Sequence, residues 1–286
     1  MTAFAIVLVL SAAGVHASWN YLLKKSGGGV GFVWLFGAMS VVFYAPLAIG
    51  LALTQQFELT PPAFGLILAS AVIHTAYYLL LDRGYRFGDL SLVYPLARAT
   101  GPLLTIIVAI FALGEHPGPI AMLGAALIIG GAFFLTGDPA KLAQSGALRG
   151  VAFALLTGCT IAAYTITDKQ AVSRWAVPPL IFDWSMNLLR MILMAPLGWR
   201  DREGVRNAWR RHRKTAIAVA LLNPLSYILV LTAMVFTPVS LVAPAREISI
   251  LFAAFMGTQL LREGHVARRI LCAGAMALGV FGLAMG

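Results

Sequence analysis

Charge is what this chain is short of. Only 11% of its 286 residues are Asp, Glu, Lys or Arg, against about 25% in an ordinary soluble domain. With 60% hydrophobic residues and a mean hydropathy of +0.85, it cannot build a water-facing surface. Its natural solvent is lipid. Acidic residues are scarcer than basic ones, 11 against 21, which leaves a net charge of +10. In a soluble protein that excess would suggest nucleic acid. Here the basic residues sit in short gaps between apolar runs, the place of membrane-surface anchors, so nucleic acid is not an expected partner. Cysteine is nearly absent. Cys159 and Cys272 both fall inside apolar runs, which argues against a disulfide framework or a metal site. The longest polar stretch, Arg200 to Lys214, leaves no room for a soluble domain. Also missing are H-E-x-x-H, G-x-S-x-G and G-x-x-x-x-G-K-[ST]. Their absence argues against an enzyme and an ATP-driven pump, and calls for no cofactor.

What remains is a succession of apolar runs. The first lacks a basic start and continues past Ala17, so it reads as a retained span rather than a signal peptide. Run length predicts ten helices, at 2–23, 31–53, 62–82, 90–113, 118–136, 148–168, 178–198, 215–236, 239–261 and 266–285. In lipid a helix satisfies its own backbone hydrogen bonds, which excludes open strands. Turn residues mark the gaps: Gly27–Gly29, Pro61–Pro62, His116–Pro117–Gly118 and Pro178–Pro179.

One stretch occurs twice. Ser91, Leu92, Val93 and Pro95 match Ser240, Leu241, Val242 and Pro244 at a constant offset. After a one-residue deletion Arg98 and Glu115 match Arg246 and Glu263. A span rich in glycine and alanine follows each copy, and Gly14, Lys25 and Tyr78 match Gly158, Lys169 and Tyr227 in the same order. A repeat means one structural unit used twice. Five helices per copy, an odd number, put the second copy upside down in the bilayer, as in many secondary transporters. The fold class is therefore an all-α integral membrane protein of ten transmembrane helices, arranged as two inverted five-helix repeats, residues 1–140 and 141–286.

The doubled S-x-x-x-P…R…G-E pattern and the segment HASWNYLLKKS at the end of the first helix resemble the EamA-type transporters of the drug/metabolite transporter superfamily. The resemblance covers nearly the whole chain. It implies ten helices in two inverted halves, a central cavity, and export or exchange of small metabolites such as amino acids, nucleotide sugars, sugar phosphates or drugs. It is almost silent on substrate. The two copies also differ, with Arg246–Glu247 in one and Arg98–Ala99 in the other. The family more often has its termini inside. Here sixteen of the 21 Lys and Arg residues lie in or beside the odd-numbered gaps. The positive-inside rule then puts those gaps in the cytoplasm and both termini outside. The Arg200–Lys214 stretch dominates that count; with Trp199 and Trp209 it reads as an interfacial segment or as a solvated loop.

Five charged residues lie well inside apolar runs: Arg98, Arg190, Arg246, Asp183 and Glu247. A charge at the membrane centre costs at least ~2.5–3.5 kcal/mol, so each should face a cavity or a partner. Arg246 and Glu247 are neighbours and cannot share a helix face, so each needs its own interhelical partner. The arginines suggest a positive interior that holds a carboxylate or phosphate by its guanidinium forks. The other reading, helices tied together by Arg–acid pairs or by carbonyls freed at Pro95 and Pro244, stays open.

Helical spacing groups His16 with Trp19 and Asn20, His74 with Tyr77 and Tyr78, Ser91 with Tyr94, Arg98 and Thr105, Asp183 with Asn187 and Arg190, and Asn223 with Ser226 and Tyr227. Tyr164 and Asp168 lie on the sixth helix. Substrate contacts are therefore expected from Trp19, Asn20, Tyr77, Tyr78, Tyr94, Arg98, Tyr164, Arg190, Tyr227 and Arg246, as polar groups placed in an otherwise apolar cavity. His16, His74, Asp183 and Glu247 are the candidates for proton coupling. Glu115 and Glu263 read as turn-locking carboxylates near the surface, each at the positive end of the next helix.

The function these features imply is a secondary transporter, an exporter of a small polar and anionic metabolite. The candidates are an amino acid, a carboxylate or a phosphorylated or phosphonate compound. Transport would run by alternating access in a bacterial-type inner membrane. The alternative is a flippase for a phosphorylated lipid carrier or another protein that handles lipid headgroups. The partners are a small-molecule substrate and the lipid bilayer, with the chain acting as monomer or homodimer.

Overall fold

A chain dissolved in hydrocarbon must close its backbone hydrogen bonds within each segment, and every described element here does so as a helix. The computed structural model describes residues 1–26, 29–55, 57–87, 90–136, 148–252 and 266–285. In order they form α1 (Ala3–Lys25), α2 (Val30–Thr54), α3 (Pro61–Phe87), α4 (Leu90–Leu113), α5 (Pro119–Thr136) and α6 (Leu148–Lys169). A π-helical turn, Gln170–Arg174, ends α6. Then come α7 (Pro179–Arg200), α8 (Arg202–Phe236), α9 (Val239–Ala245) and α10 (Val266–Met285).

The surface is apolar, as lipid requires. Phe111 is 85% exposed and Leu271 74%, and Leu53, Leu148, Phe281 and Val42 also face outward. Among the described residues seven helices, α1–α4 and α6–α8, are long and apolar enough to cross a membrane, and α5 and α10 carry shorter apolar stretches. The expected ninth helix departs from its predicted course. Pro244 has no N–H to give the Ser240 carbonyl, and the backbone tightens: Glu247 N donates to Pro244 O at 3.0 Å and Ile250 N to Glu247 O at 2.9 Å. Arg246 and Glu247 therefore sit in a turn, after which the chain is helical again over 248–252. Residues 253–265, with Glu263, lie outside the described residues. The other departure is α8. The basic stretch expected as a loop or interfacial segment is its first turns, joined to the rest through a kink at His212 (φ −131°, ψ 24°).

Packing is reciprocal between the two halves. Helix α3 lies on α6 as α8 lies on α1, and α2, α4 and α5 each touch their own counterparts α7, α9 and α10. The α5–α10 contact is the closest. A methyl group added at Gly124 would come within 2.5 Å of the Gly279 carbonyl oxygen, so only glycine lets the two backbones meet there. Side-chain oxygens tie α2 to α8, where Ser40 donates to Ala220 O at 2.8 Å and Tyr44 to Leu221 O at 2.6 Å.

The apolar interior is uneven along the bundle. One continuous core fills the end formed by the first half of α1 and α3, the end of α4, the π turn, the start of α7 and the junction of α8 with α9, and it extends along the α5–α10 contact from Ala121 to Ala132. Leu8, Ile67, Ala109, Val172, Phe182, Met234 and Val242 belong to it. At the opposite end the described residues form two separate clusters. Trp19, Phe32, Phe36, Ala208 and Val219 join α1, α2 and α8, while Val93, Ala97 and Ala154 join α4 and α6.

The filled end is fastened by two charged side chains. Lys169 Nζ donates to the carbonyls of Met234 (2.7 Å) and Thr237 (3.0 Å), the last of α8. Glu115 accepts from the amides of Val239 (2.8 Å) and Ser240 (2.9 Å), the first of α9. Both satisfy helix-end groups that have no partner within the helix. Glu115 thus caps α9 in the other half, and not the following α5 as sequence adjacency suggested. Replacing Glu115 by Ala should lower the unfolding midpoint of the detergent-purified protein, with a loss of about 1–3 kcal/mol for the orphaned amides. Glu115→Gln should fall between. An unchanged midpoint for the Ala variant would remove the cap from the account.

Candidate functional site

Between the filled end and the two smaller clusters lies a cavity lined by polar and aromatic side chains, with about 590 Å³ of empty space, its open mouth included. Its wall is built from one face of each of several helices. Helix α1 contributes His16 and Trp19, α3 His74, Tyr77 and Tyr78, α4 Arg98, and α6 Tyr164. Helix α7 adds Asp183, Met186, Asn187 and Arg190, α8 adds Asn223, Ser226 and Tyr227, and the break after α9 adds Arg246. A recess of about 310 Å³ shares His16, Arg98, Ser226, Tyr227 and Arg246 with it and reaches toward Val9 and Ala13.

Aromatic rings make a continuous surface. His74 stacks on Tyr164 with centroids 4.0 Å apart, and its edge meets Tyr227 at 5.8 Å. Tyr77 contacts both Tyr78 (5.1 Å) and Tyr164 (5.9 Å) edge-on. The Nδ1 of His74 lies 3.0 Å from the Ser70 carbonyl. A carbonyl only accepts, so the ring proton belongs on Nδ1 and Nε2 is left as an acceptor. His16 sits edge-on to Trp19 at 4.9 Å, and Trp19 Nε1 donates to Ser226 Oγ at 3.3 Å. Trp19 is 8% exposed, which takes it out of the membrane-interface belt.

The charged groups divide into a bonded set and a displayed set. Arg98 Nε approaches Glu247 Oε2 at 2.9 Å, joining α4 to the turn after α9. The N–H is not aimed along that contact, so this is a close charge pair rather than an aligned hydrogen bond. A second nitrogen of Arg98 donates to Ser249 Oγ at 3.4 Å. It is the one ion pair in this interior among the described residues. Arg190 lies over the Tyr78 ring at 5.1 Å and donates to its hydroxyl at 3.5 Å, and Arg246 lies over Tyr227 at 5.3 Å. Such placements hold a guanidinium by its face and leave its edge for another partner. Asp183 accepts from Asn187 Nδ2 at 2.9 Å. Asp168, fully buried one layer behind the wall, accepts from the Tyr227 hydroxyl. Among the described residues this interior brings together the guanidinium groups of Arg98, Arg190 and Arg246 and the carboxyl groups of Asp168, Asp183 and Glu247.

Twelve of the fourteen residues singled out in the sequence line this cavity or pair directly with its wall. Asn20 and Tyr94 do not. Asn20 donates to the His16 carbonyl of its own helix at 2.9 Å. Tyr94, half-buried near the start of α4, lies near both Tyr85 and Arg98 but is not itself part of the lining. Thr105, on the same sequence stripe, bonds the Gly101 carbonyl at 2.9 Å. Glu247 is in the site as the partner of Arg98 and not as lining. Met186 and Ser249 gave no sequence signal. Asp168, Asn187, Asn223 and Ser226 stood on the right helix faces but were not singled out.

An apolar helical bundle around a solute-sized polar chamber is an integral membrane protein with the architecture of a carrier. The pattern of the EamA-like transporter family matches this chain twice, over residues 3–137 and 148–285. The chain belongs to that family, which is one of membrane transporters of small molecules. A solved crystal structure resembles it with a TM-score of 0.77 at 14% identity, over 100% of this chain and 98% of the other, which is a likeness of fold. No curated protein matches it in sequence.

Tyr227 both supports Arg246 and gives Asp168 its hydrogen bond. Tyr227→Phe keeps the ring and removes the donor, so it should destabilise the protein by about 1–3 kcal/mol. Adding Asp168→Leu should recover part of that loss, because the buried carboxyl, left with Ser70 as its donor, is then gone. Equal melting of Tyr227→Phe and wild type in detergent would show that the bond contributes nothing.

Proposed function

We propose that this protein is a secondary transporter that exports a small polar metabolite by alternating access through the cavity between its halves, residues 1–140 and 141–286, which act as inverted repeats. The supporting observation is the asymmetry of the apolar core. One continuous core closes the cavity toward the start of α1 and runs on along α5 and α10, whereas the described residues of α1, α2 and α8 and of α4 and α6 at the other end fall in two smaller clusters. Helices joined by a small cluster part at lower cost than helices joined by a large one, and a single packed core is a discrete closed arrangement. The basic first turns of α8 stand at the divided end. By the positive-inside rule that end faces the cytoplasm of a bacterial-type inner membrane and the termini lie outside. In this reading the end with the smaller clusters opens to the cytoplasm, which suits loading of a solute for export.

In this reading Arg190 and Arg246 receive an acidic group of the solute, and Trp19, Tyr77, Tyr78, Tyr164 and Tyr227 cover its apolar atoms. Arg98 is held by Glu247 and fixes α4 against the turn that carries Arg246. His16, His74 and Asp183 are the groups placed to exchange a proton with the solute pathway. No partner beyond solute and bilayer is needed.

Proteoliposomes loaded with labelled amino acids, phosphonates and sugar phosphates provide the test. Wild-type protein should release at least one of these classes faster than empty liposomes. Arg246→Ala should cut that rate roughly tenfold or more, with partial activity in Arg246→Lys, which keeps the charge but not the fork. Wild-type rates in Arg246→Ala at equal protein would exclude Arg246 from the site. No release of any class beyond that of empty liposomes would count against the transport reading.

A further inference from the structure

The most basic stretch of the chain lies outside the cavity. We infer that the outward face of the first turns of α8 binds the headgroups of anionic phospholipids, at the end of the bundle that holds the smaller apolar clusters.

The first observation is charge without a partner. From Arg200 to Lys214 the chain carries seven basic residues and two acidic ones. Of the two, Asp201 is committed to the amides of Gly31 and Gly204. Arg202, Arg206 and Arg210 recur at intervals of four, which puts them on one helix face, and all three are exposed. Arg213 and Lys214 are exposed just past the kink. Among the described residues none of these five has a carboxylate within ion-pair distance. The inward face is spent on the protein, where Ala208 is buried in one cluster with Phe32 and Phe36 of α2. The outward face is therefore basic, and its complement is an anion. A guanidinium fork matches a phosphate.

The second observation is depth. Crossing the hydrocarbon takes about 20 residues, and α8 has 35, so its basic first turns stand at the membrane surface. They also run obliquely. Helix α8 meets α2 at Gly31, where an added methyl group would come within 2.5 Å of Val205 N, and again where Ser40 donates to Ala220 O. Nine residues of α2 lead from one contact to the other, a rise of about 14 Å, against fifteen of α8, a path of about 22 Å. The longer path is taken up by inclining the basic segment, and His212 is where it bends. Trp199 is 68% exposed and Trp209 46%, and Arg202 lies over the Trp199 ring at 5.7 Å. Indole rings settle at the headgroup level of a bilayer. The arginines beside them are thus level with lipid phosphates, which favours a lipid over a soluble acidic partner.

The test uses the full chain purified in dodecyl maltoside and titrated with dioleoylphosphatidylglycerol or dioleoylphosphatidylcholine. Native mass spectrometry counts the bound lipid, and the melting midpoint is read alongside. Each Lys or Arg at an anionic surface is worth roughly fivefold in binding, so wild type should hold the anionic lipid at least about tenfold more tightly. That lipid alone should raise the midpoint. Replacing Arg206, Arg210 and Arg213 together by Gln should remove most of the preference. Arg83→Gln combined with Arg86→Gln, at the end of α3, should keep it. Equal affinity of wild type for the two lipids would overturn the inference without recourse to any variant. An equal loss in the two variants would overturn it as well, since the preference would then be diffuse charge and not this face. Glycerol 3-phosphate or polyglutamate competing as well as phosphatidylglycerol would give the face to a soluble anion or an acidic protein, and would overturn it too.

Discussion

The contact between Arg98 and Glu247 joins the two sequence repeats at the depth where charge is hardest to keep. Each group alone would be an unpaired ion in a protein interior surrounded by lipid, at a cost of several kcal/mol. Together they lie 2.9 Å apart and are nearly inaccessible to solvent. Because one partner stands on α4 and the other on the turn after α9, the pair fixes the helix break in space. That break places Arg246 over Tyr227, and Tyr227 in turn serves Asp168. One side of the cavity wall hangs on this chain of contacts.

The break itself has a local cause and two supports. Pro244 removes a backbone donor, and the helix tightens instead of continuing. Lys169 and Glu115 satisfy the carbonyls and amides on either side of the α8–α9 junction. A similar economy appears at the other end of α8, where Asp201 accepts from Gly204 N at 3.2 Å and from Gly31 N at 2.8 Å, so one carboxylate serves the starts of both α8 and α2.

Much of this was legible in the sequence, because lipid leaves few choices. Long apolar runs become helices, and the doubled motif containing Arg98 and Arg246 marks the two halves. Helical spacing also brought His74, Tyr77 and Tyr78 onto one face, and the adjacency of Arg246 and Glu247 required separate partners for them. What spacing cannot give is depth along a helix or the identity of a partner. Asn20 and Tyr94 share a stripe with cavity residues yet do not line the cavity, since Asn20 bonds its own helix and Tyr94 lies a turn before Arg98, beside it. Asp168 was passed over because it sits a turn beyond Tyr164, close to the helix end, and only the tertiary structure brings Tyr227 to it. The basic turns of α8 were read as a loop or interfacial segment because hydropathy locates lipid and not helix. Spacing also does not show which arginine is paired: Glu247 comes to Arg98 from the other half of the chain, while Arg190 and Arg246 lie on aromatic rings.

The claim on which all of this stands is that Arg98 and Glu247 act as a unit. A double-mutant cycle measures it directly, using Arg98→Met, Glu247→Leu and the double variant, with reversible unfolding in detergent as the readout. Each single change should cost about 3–5 kcal/mol, because it leaves the other charge buried and alone. The double change should cost far less than the two together. Losses that simply add would contradict the account, since they would mean that the two side chains are held independently of each other.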